Sequence, residues 1–468
     1  MNDGILDNRT IELEEKPIGQ LLLIYALPSV ISQIISSVYN IADRIFIGQG
    51  VGPLAIAGLA ITFPLMNVIH AFGSLVGVGA GARMSIVLGK KDIYWAEKIL
   101  GNATILTIIF GVLLLGFGYG FMEKILMLFG ATKDTIQYAL EYMNIVMPGM
   151  VLTTVTFNLA SLIRSTGYPK KAMYILAGGA VLNIILDPIF IFVFHWGIAG
   201  AAWATTISMA VTAMASILHF VNRISFIRYK MHAWIPKLFI FKNVLMIGLS
   251  PFLMNITAAG VVALLNSQLL KYGGDYAVGA FGIVNSYANF TFLFILGICQ
   301  GMQPIAGYNY GAGHTDRLKD IYALTNKICI AIGVICSAIC LIIPEPLVRV
   351  FTKDPDLIKV STTAIRFMMA MFPFIAFHIT NTNFFQAIDK PWVSIVTSLS
   401  RQVIFLLPLC YVIPQLFESM GMPGLNGVWA SCSISDVLGA VLAGILLYSQ
   451  RKVFTTPLPP TAPLSTQE

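Results

Sequence analysis

Charged side chains are scarce in this chain: Asp, Glu, Lys and Arg make up 11% of its 468 residues, against 57% hydrophobic. Soluble domains carry about 25% charged residues. With a mean hydropathy of +0.80, the shortage excludes a water-soluble globular domain and makes lipid the main solvent. Cysteine is also sparse. Cys299, Cys329, Cys336, Cys340, Cys410 and Cys432 all fall in apolar runs of the second half, none at CxxC spacing. This argues against a metal or disulfide framework and for small packing residues. The 6 histidines form no HExxH pair, so zinc catalysis lacks support. The glycine-rich GSLVGVGAGA at 73–82 has no preceding strand and no P-loop lysine motif after it, which favours close helix packing over a nucleotide loop. No enzyme chemistry and no cofactor is expected. No cleavable signal peptide is visible, because polar Met1–Lys16 leads into an apolar run of full span length.

What abounds is apolar runs long enough to cross a bilayer. A helix rising 1.5 Å per residue needs about 20 residues for about 30 Å of hydrocarbon. Such runs lie at 18–41, 54–82, 99–120, 136–163, 172–194, 198–221, 243–270, 277–308, 322–343, 361–388, 393–416 and 425–450. The expected fold is therefore an all-α polytopic membrane protein with twelve transmembrane helices. Placing both termini in the cytoplasm puts 20 of the 29 Lys and Arg on that side and leaves Arg401 mid-span. This bias predicts inside-in topology in a plasma membrane, the inner membrane of a bacterium. It also accounts for the net charge of +7 without nucleic acid as a partner. The Pro-rich end, TTPLPPTAPLSTQE, reads as a tail without fixed structure.

The chain repeats with a period near 220 residues. Leu27-Pro28-Ser29 matches Ser250-Pro251-Phe252, PLAIAGLAI at 53–61 matches YAVGAFGIV at 276–284, and Thr132-Lys133-Asp134 recurs as Thr352-Lys353-Asp354. Six spans separate the copies, and an even number returns the chain to its starting side. The halves are thus expected as six-helix bundles related by a pseudo-two-fold axis along the membrane normal, the architecture of an alternating-access transporter. The division reads as an N-terminal segment 1–16, bundles 17–222 and 243–450, a basic linker 223–242 and a tail 451–468.

Acidic residues break the repeat. Asp43, near the end of the first span, and Asp187, inside the fifth, have no acidic residue at the matching places of the second half. Asn183 and Asp187 fall one helical turn apart on one face. Pro188 weakens the ladder and leaves carbonyl oxygen beside the carboxylate, a setting for a hard cation or a proton. Asn158, Thr205, Tyr39, Asn40 and Asp43 are candidates to converge there. Each has a plainer reading: the amides as helix-packing glue, Asp43 as an interfacial ion pair with Arg44. Asp187 stands apart, because a charge deep in a span usually marks an ion pathway. Met143, Met147 and Met150 fall near helical spacing; most such methionines pack, though a soft cavity wall is an alternative. Asn255, Asn289 and Gln300 are candidate neutral partners in a substrate cavity. Arg401 and Asp436, each about ten residues into its span, predict a buried ion pair, with a cavity-facing Arg401 as the rival.

YNIADRIFIGQGVGPLAIAGLAITFP, LIRSTGYPKKAM, LNIILDPIFIF, GIAGAAWAT and GICQGMQPIAGYNYGAG together resemble the multidrug and toxic compound extrusion (MATE) family, nearest its DinF-like branch and the MepA-like members. The resemblance covers about residues 17–450. It implies a monomeric secondary transporter in membrane lipid that exports cationic, amphipathic compounds in exchange for H⁺ or Na⁺. It also implies a cation site at Asp43, Asn158, Asn183, Asp187, Thr205 and Tyr39, with Na⁺ held by Asp43, Asn183 and Asp187. Spans 7 and 10 carry none of the acidic residues that some branches use for a second site. The rival functions are a flippase of a lipid-linked precursor, which would call for basic cavity residues, and a polar-lined channel or membrane receptor.

Overall fold

The computed structural model describes residues 8–222 and 225–456. The start of the 1–16 segment, Arg223 of the linker and 457–468 of the tail lie outside the described residues. Described elements other than loops are helical. A short α1 (Asn8–Glu15) precedes α2 (Ile18–Gly50), α3 (Pro53–Gly89), α4 (Ile93–Leu128), α5 (Ile136–Ser165), α6 (Pro169–Pro188) and α7 (Gly197–Val221). The second half holds α8 (Leu238–Gly311), α9 (Thr315–Ile342), the short α10 (Pro344–Arg349), α11 (Pro355–Ala370), α12 (Phe372–Ala387), α13 (Pro391–Leu399), α14 (Leu407–Ser419) and α15 (Gly424–Ser449). Large apolar side chains such as Val112, Leu113 and Phe117 on α4 remain exposed, the surface that lipid solvates.

Three features turn these helices into twelve spans. The 74 residues of α8 would measure about 111 Å as one rod, several times the hydrocarbon thickness. Gly274 divides it, with φ 64°, a conformation that glycine adopts without Cβ strain. Gly52, between α2 and α3, has φ 118° and holds the corresponding place in the first half. Next, α11 and α12 meet at a 45° bend at Met371, ahead of Pro373, whose ring and missing N–H interrupt the ladder. They form one broken span. Finally, α13 and α14 run through a π-helical segment, Ser400–Leu406, as one span. Helices outrun the apolar runs in several places, as where α3 extends to Gly89, because a helix keeps its hydrogen bonds after leaving hydrocarbon.

The linker is shorter than the sequence suggests, since α8 starts at Leu238 and not at 243. It is strapped to α4. Asn102 accepts from the Lys237 backbone N–H at 2.7 Å and donates to the Ile235 carbonyl at 3.1 Å. Buried Glu97 pairs with Lys230 at 2.9 Å.

The two halves meet along α3 and α8. A Cβ on Gly248 would collide with the Leu75 carbonyl oxygen, and one on Gly79 with that of Val244, so glycine is what lets these backbones touch. The same face carries the loops after α3, α5 and α12, and an ion pair between Arg83 of α3 and Asp389 closes it across the halves. Tyr308 of α8 and Lys91 both reach Glu14 of α1, at 3.4 Å each. These contacts bridge the halves and α1 at this basic face.

Candidate ion and substrate site

A cavity of about 380 Å³ opens within the first half, walled by α2, α3, α5, α6 and α7 with Gln300 of α8. On α2, Tyr39 and Asp43 stand one turn apart and both line it. On α6, Asn183 and Asp187 repeat that spacing, and α6 gives way after Pro188 to a π turn, Ile189–Val193. Asn183 Nδ2 donates to Thr205 Oγ1 of α7 at 3.2 Å and to Asp187 Oδ1 at 3.4 Å. Asp43 and Asp187 are near enough for their charges to interact, and Tyr39 and Tyr142 sit within the field of both. Asp187 is fully buried and Asp43 is 8% exposed.

Neither carboxylate makes a direct salt bridge among the described residues. Arg44 stacks over the Phe63 ring, 5.0 Å from its centroid, so the contact ion pair considered for Asp43 does not form, although the Arg44 charge still acts on Asp43. Asp43 Oδ1, Asp187 Oδ2 and Asn183 Oδ1 are buried and have no hydrogen-bond partner among the described residues. A carboxylate charge held there alone is costly, and either a proton or a hard cation on such oxygens removes the cost. The described residues hold no cluster of three His, Cys, Asp or Glu, so the donor set suits an alkali cation or a proton better than a transition metal.

Other candidates fall elsewhere. Asn158 is buried, but its amide donates to Thr107 of α4 at 3.0 Å, and no hydrogen bond joins it to Asp43, Asn183 or Asp187 among the described residues. Met147 is a correction: it packs in an apolar cluster against Gly118, and Met66, Met150 and Met209 line the cavity instead. Helical spacing marks a stripe without saying what it faces. Asn255 donates to its own helix at Pro251 (2.8 Å) and to Ser74 (3.4 Å); neither it nor exposed Asn289 lines this cavity. Gln300 does. Arg401 Nη1 donates to Asp436 Oδ1 at 3.1 Å, with both side chains largely buried. The rival, an unpaired cavity-facing Arg401, does not match this contact.

Sequence reasoning missed Tyr142, His70 and Arg164, all in the cavity wall. Tyr142 and His70 look like ordinary aromatic packing, and His70 does pack edge-on to Phe157 at 5.1 Å. Arg164 reads as a loop charge because it lies beside the polar stretch STGYPKK. It is in fact buried in the last turn of α5.

Twelve spans in a duplicated arrangement, with Asp43 on a cavity wall inside one half and Asp187 buried behind it, define an ion-coupled membrane transporter and not an enzyme. The family profile MatE matches the chain twice, at residues 28–189 and 251–412, in register with the internal repeat. The chain belongs to the MatE family. It is 26% identical over 449 residues to the multidrug export protein MepA of Staphylococcus haemolyticus (strain JCSC1435), covering 96% of this chain and 97% of that protein. To MepA of Staphylococcus aureus (strain NCTC 8325 / PS 47) it is 27% identical over 450 residues, covering 96% and 98%. Among solved structures, a MOP superfamily transporter from Pyrococcus furiosus superposes with TM-score 0.87 at 24% identity, over 95% of this chain and 98% of that one. A MATE crystal structure in the bent conformation gives 0.88 at 23%, over the same shares.

Proposed function

We propose that this protein is a multidrug efflux antiporter that exports cationic, amphipathic compounds in exchange for H⁺ or Na⁺. The observation that carries the reading is Asp43 on the wall of a drug-sized cavity, with Asp187 buried behind that wall, one turn from cavity-lining Asn183 and within the field of Asp43. Aromatic and thioether walls from Phe63, Phe157, Met150 and Met209 suit flat apolar cations of varied shape. The export proteins named MepA, matched over nearly their whole length, support the same reading.

In this mechanism the ion and the drug compete for one charge. With the carboxylates bare, the cavity attracts a cation. When a proton on a free carboxylate oxygen of Asp43 or Asp187, or a Na⁺ held by those oxygens and Asn183 Oδ1, cancels one of the two charges, that attraction weakens and the drug leaves. Neutralisation also changes how α2 packs on α6 and α7, which biases the halves between their two arrangements. The basic face is cytoplasmic, both termini lie there, and the chain works as a monomer with bundles at 17–222 and 243–450. Dye efflux from proteoliposomes under separately imposed proton and sodium gradients tests the proposal. Efflux driven by one gradient identifies the coupling ion; efflux indifferent to both overturns antiport.

One observation favours a second reading. A flippase calls for basic cavity residues, and Arg44 and Arg164 line this cavity. Transfer of a labelled lipid pyrophosphate across the same vesicles, with no gradient-driven dye efflux, would select it. Counterflow of labelled substrate separates either carrier from a channel or receptor.

A further inference from the structure

Arg164 is one of two cavity-lining arginines, with Arg44, that the mechanism above leaves unused. It lines the cavity and is 9% exposed, yet it has no ion pair or hydrogen bond among the described residues. Its place is unusual. Along α5 it lies about 33 Å of helix from Tyr142 at 1.5 Å per residue, and Tyr142 is level with the carboxylates. A helical side chain leans toward its helix N-terminus, so the guanidinium rises from the basic face into the cavity floor. One cavity thus reaches from Asp43 to Arg164 near the end of α5, a path along which cations could leak.

We propose that Arg164 is an electrostatic floor that stops protons and sodium ions from crossing beyond the carboxylates. An unpaired fixed cation in a narrow, low-dielectric passage repels cations strongly, as arginines in selective pores do. Anion recognition fits the surroundings less well. Ser32, Ser208 and Thr212 each donate to a carbonyl of their own helix, at 2.9, 2.8 and 2.6 Å, so they offer lone pairs to the cavity and not the converging donors an anion needs. Arg164 is thus a positioning residue that protects coupling, and this role rests on the antiport reading.

The test uses full-length protein in liposomes without substrate, with internal pH and sodium dyes reporting passive entry. Wild-type vesicles should be about as tight as protein-free ones. Arg164→Gln should raise entry of the coupling ion about tenfold or more, and Arg164→Lys should return it near wild type. Arg164→Gln vesicles as tight as wild type overturn the floor. Leu176→Cys, on the cavity wall with Arg164 intact, guards against misfolding of that variant. Relative to free cysteine, its anionic-to-cationic thiosulfonate labelling ratio should exceed that of Asn40→Cys, on the cavity wall nearer Asp43, by at least about threefold, and an equal or lower ratio overturns the proposal. Wild-type dye efflux in the same vesicles reads the antiport reading separately: efflux with a tight Arg164→Gln sinks the floor alone, whereas absent efflux sinks antiport.

Discussion

In the first half, Asp43 lines a cavity and Asp187 lies buried behind its wall, neither in a direct salt bridge among the described residues, whereas in the second half Asp436 is held by Arg401 at 3.1 Å. Among the described residues, the other buried side chains of the second half carry no Asp, Glu, Lys or Arg. Ser394 donates to Ser250 at 2.8 Å, Ser250 to Ser398 at 3.2 Å, and Gln303 to Gln386 at 3.1 Å. Both halves descend from one repeat, with Gly52 and Gly274 in left-handed conformation at matching corners, so the backbone plan does not dictate where charge goes. The difference teaches that charge in a span has two separate uses. A charge that meets its partner fixes packing, and a charge left unsatisfied waits for a ligand.

The sharpest way to break this comparison is Asp187→Asn. Gradient-driven dye efflux should fall about a hundredfold or more, the size expected when a buried charge central to coupling is removed, while the protein still purifies as a folded monomer. Efflux at wild-type rate from that variant would contradict a first-half site.

The reverse pattern is expected across the halves for stability. Arg401→Gln or Asp436→Asn should each destabilise by about 3–5 kcal/mol, because the remaining charge is buried alone. The combined Arg401→Asp and Asp436→Arg exchange should recover at least part of that loss. Thermal unfolding in detergent checks this, with Asp43→Asn as the contrast, since removing an already unpaired charge should leave stability unchanged or raised. A fall of similar size in Asp43→Asn would erase the distinction.

Smaller effects sharpen the boundary of the site. Thr205→Ala removes the hydroxyl that receives Asn183, and the ion concentration for half-maximal efflux should rise about tenfold, the worth of one buried hydrogen bond. Asn158→Ala should shift it less, because that amide is turned to Thr107. Asn255→Ala and Asn289→Ala should leave it in place, and equal shifts from all four would spread the site over both halves.

Much of this contrast is legible in the sequence, for a physical reason. Lipid makes a charge so expensive that Asp187, Arg401 and Asp436 stand out in apolar runs, and helical spacing alone places Asn183 beside Asp187. The twelve spans follow from length and hydropathy, although Gly274 and the bend at Met371 emerge only when the backbone is traced. What the sequence hides is which way a side chain turns. Met147 and Met150 lie less than a turn apart, yet the first packs against Gly118 and the second lines the cavity. Arg164 is hidden for another reason: α5 carries it inward from what looks like a loop, and its long stem lets its charge reach the cavity.

The central claim is that the coupling ion binds in the first half alone. It is tested most directly by measuring the protons released, or the labelled Na⁺ displaced, when a cationic dye is added to purified protein in weak buffer. Wild type should release ion in proportion to dye bound, Asp43→Asn with Asp187→Asn should release none, and Arg401→Gln with Asp436→Asn should release as much per folded molecule as wild type. Undiminished release from the first-half variant, or release lost only in the second-half variant, would contradict the account.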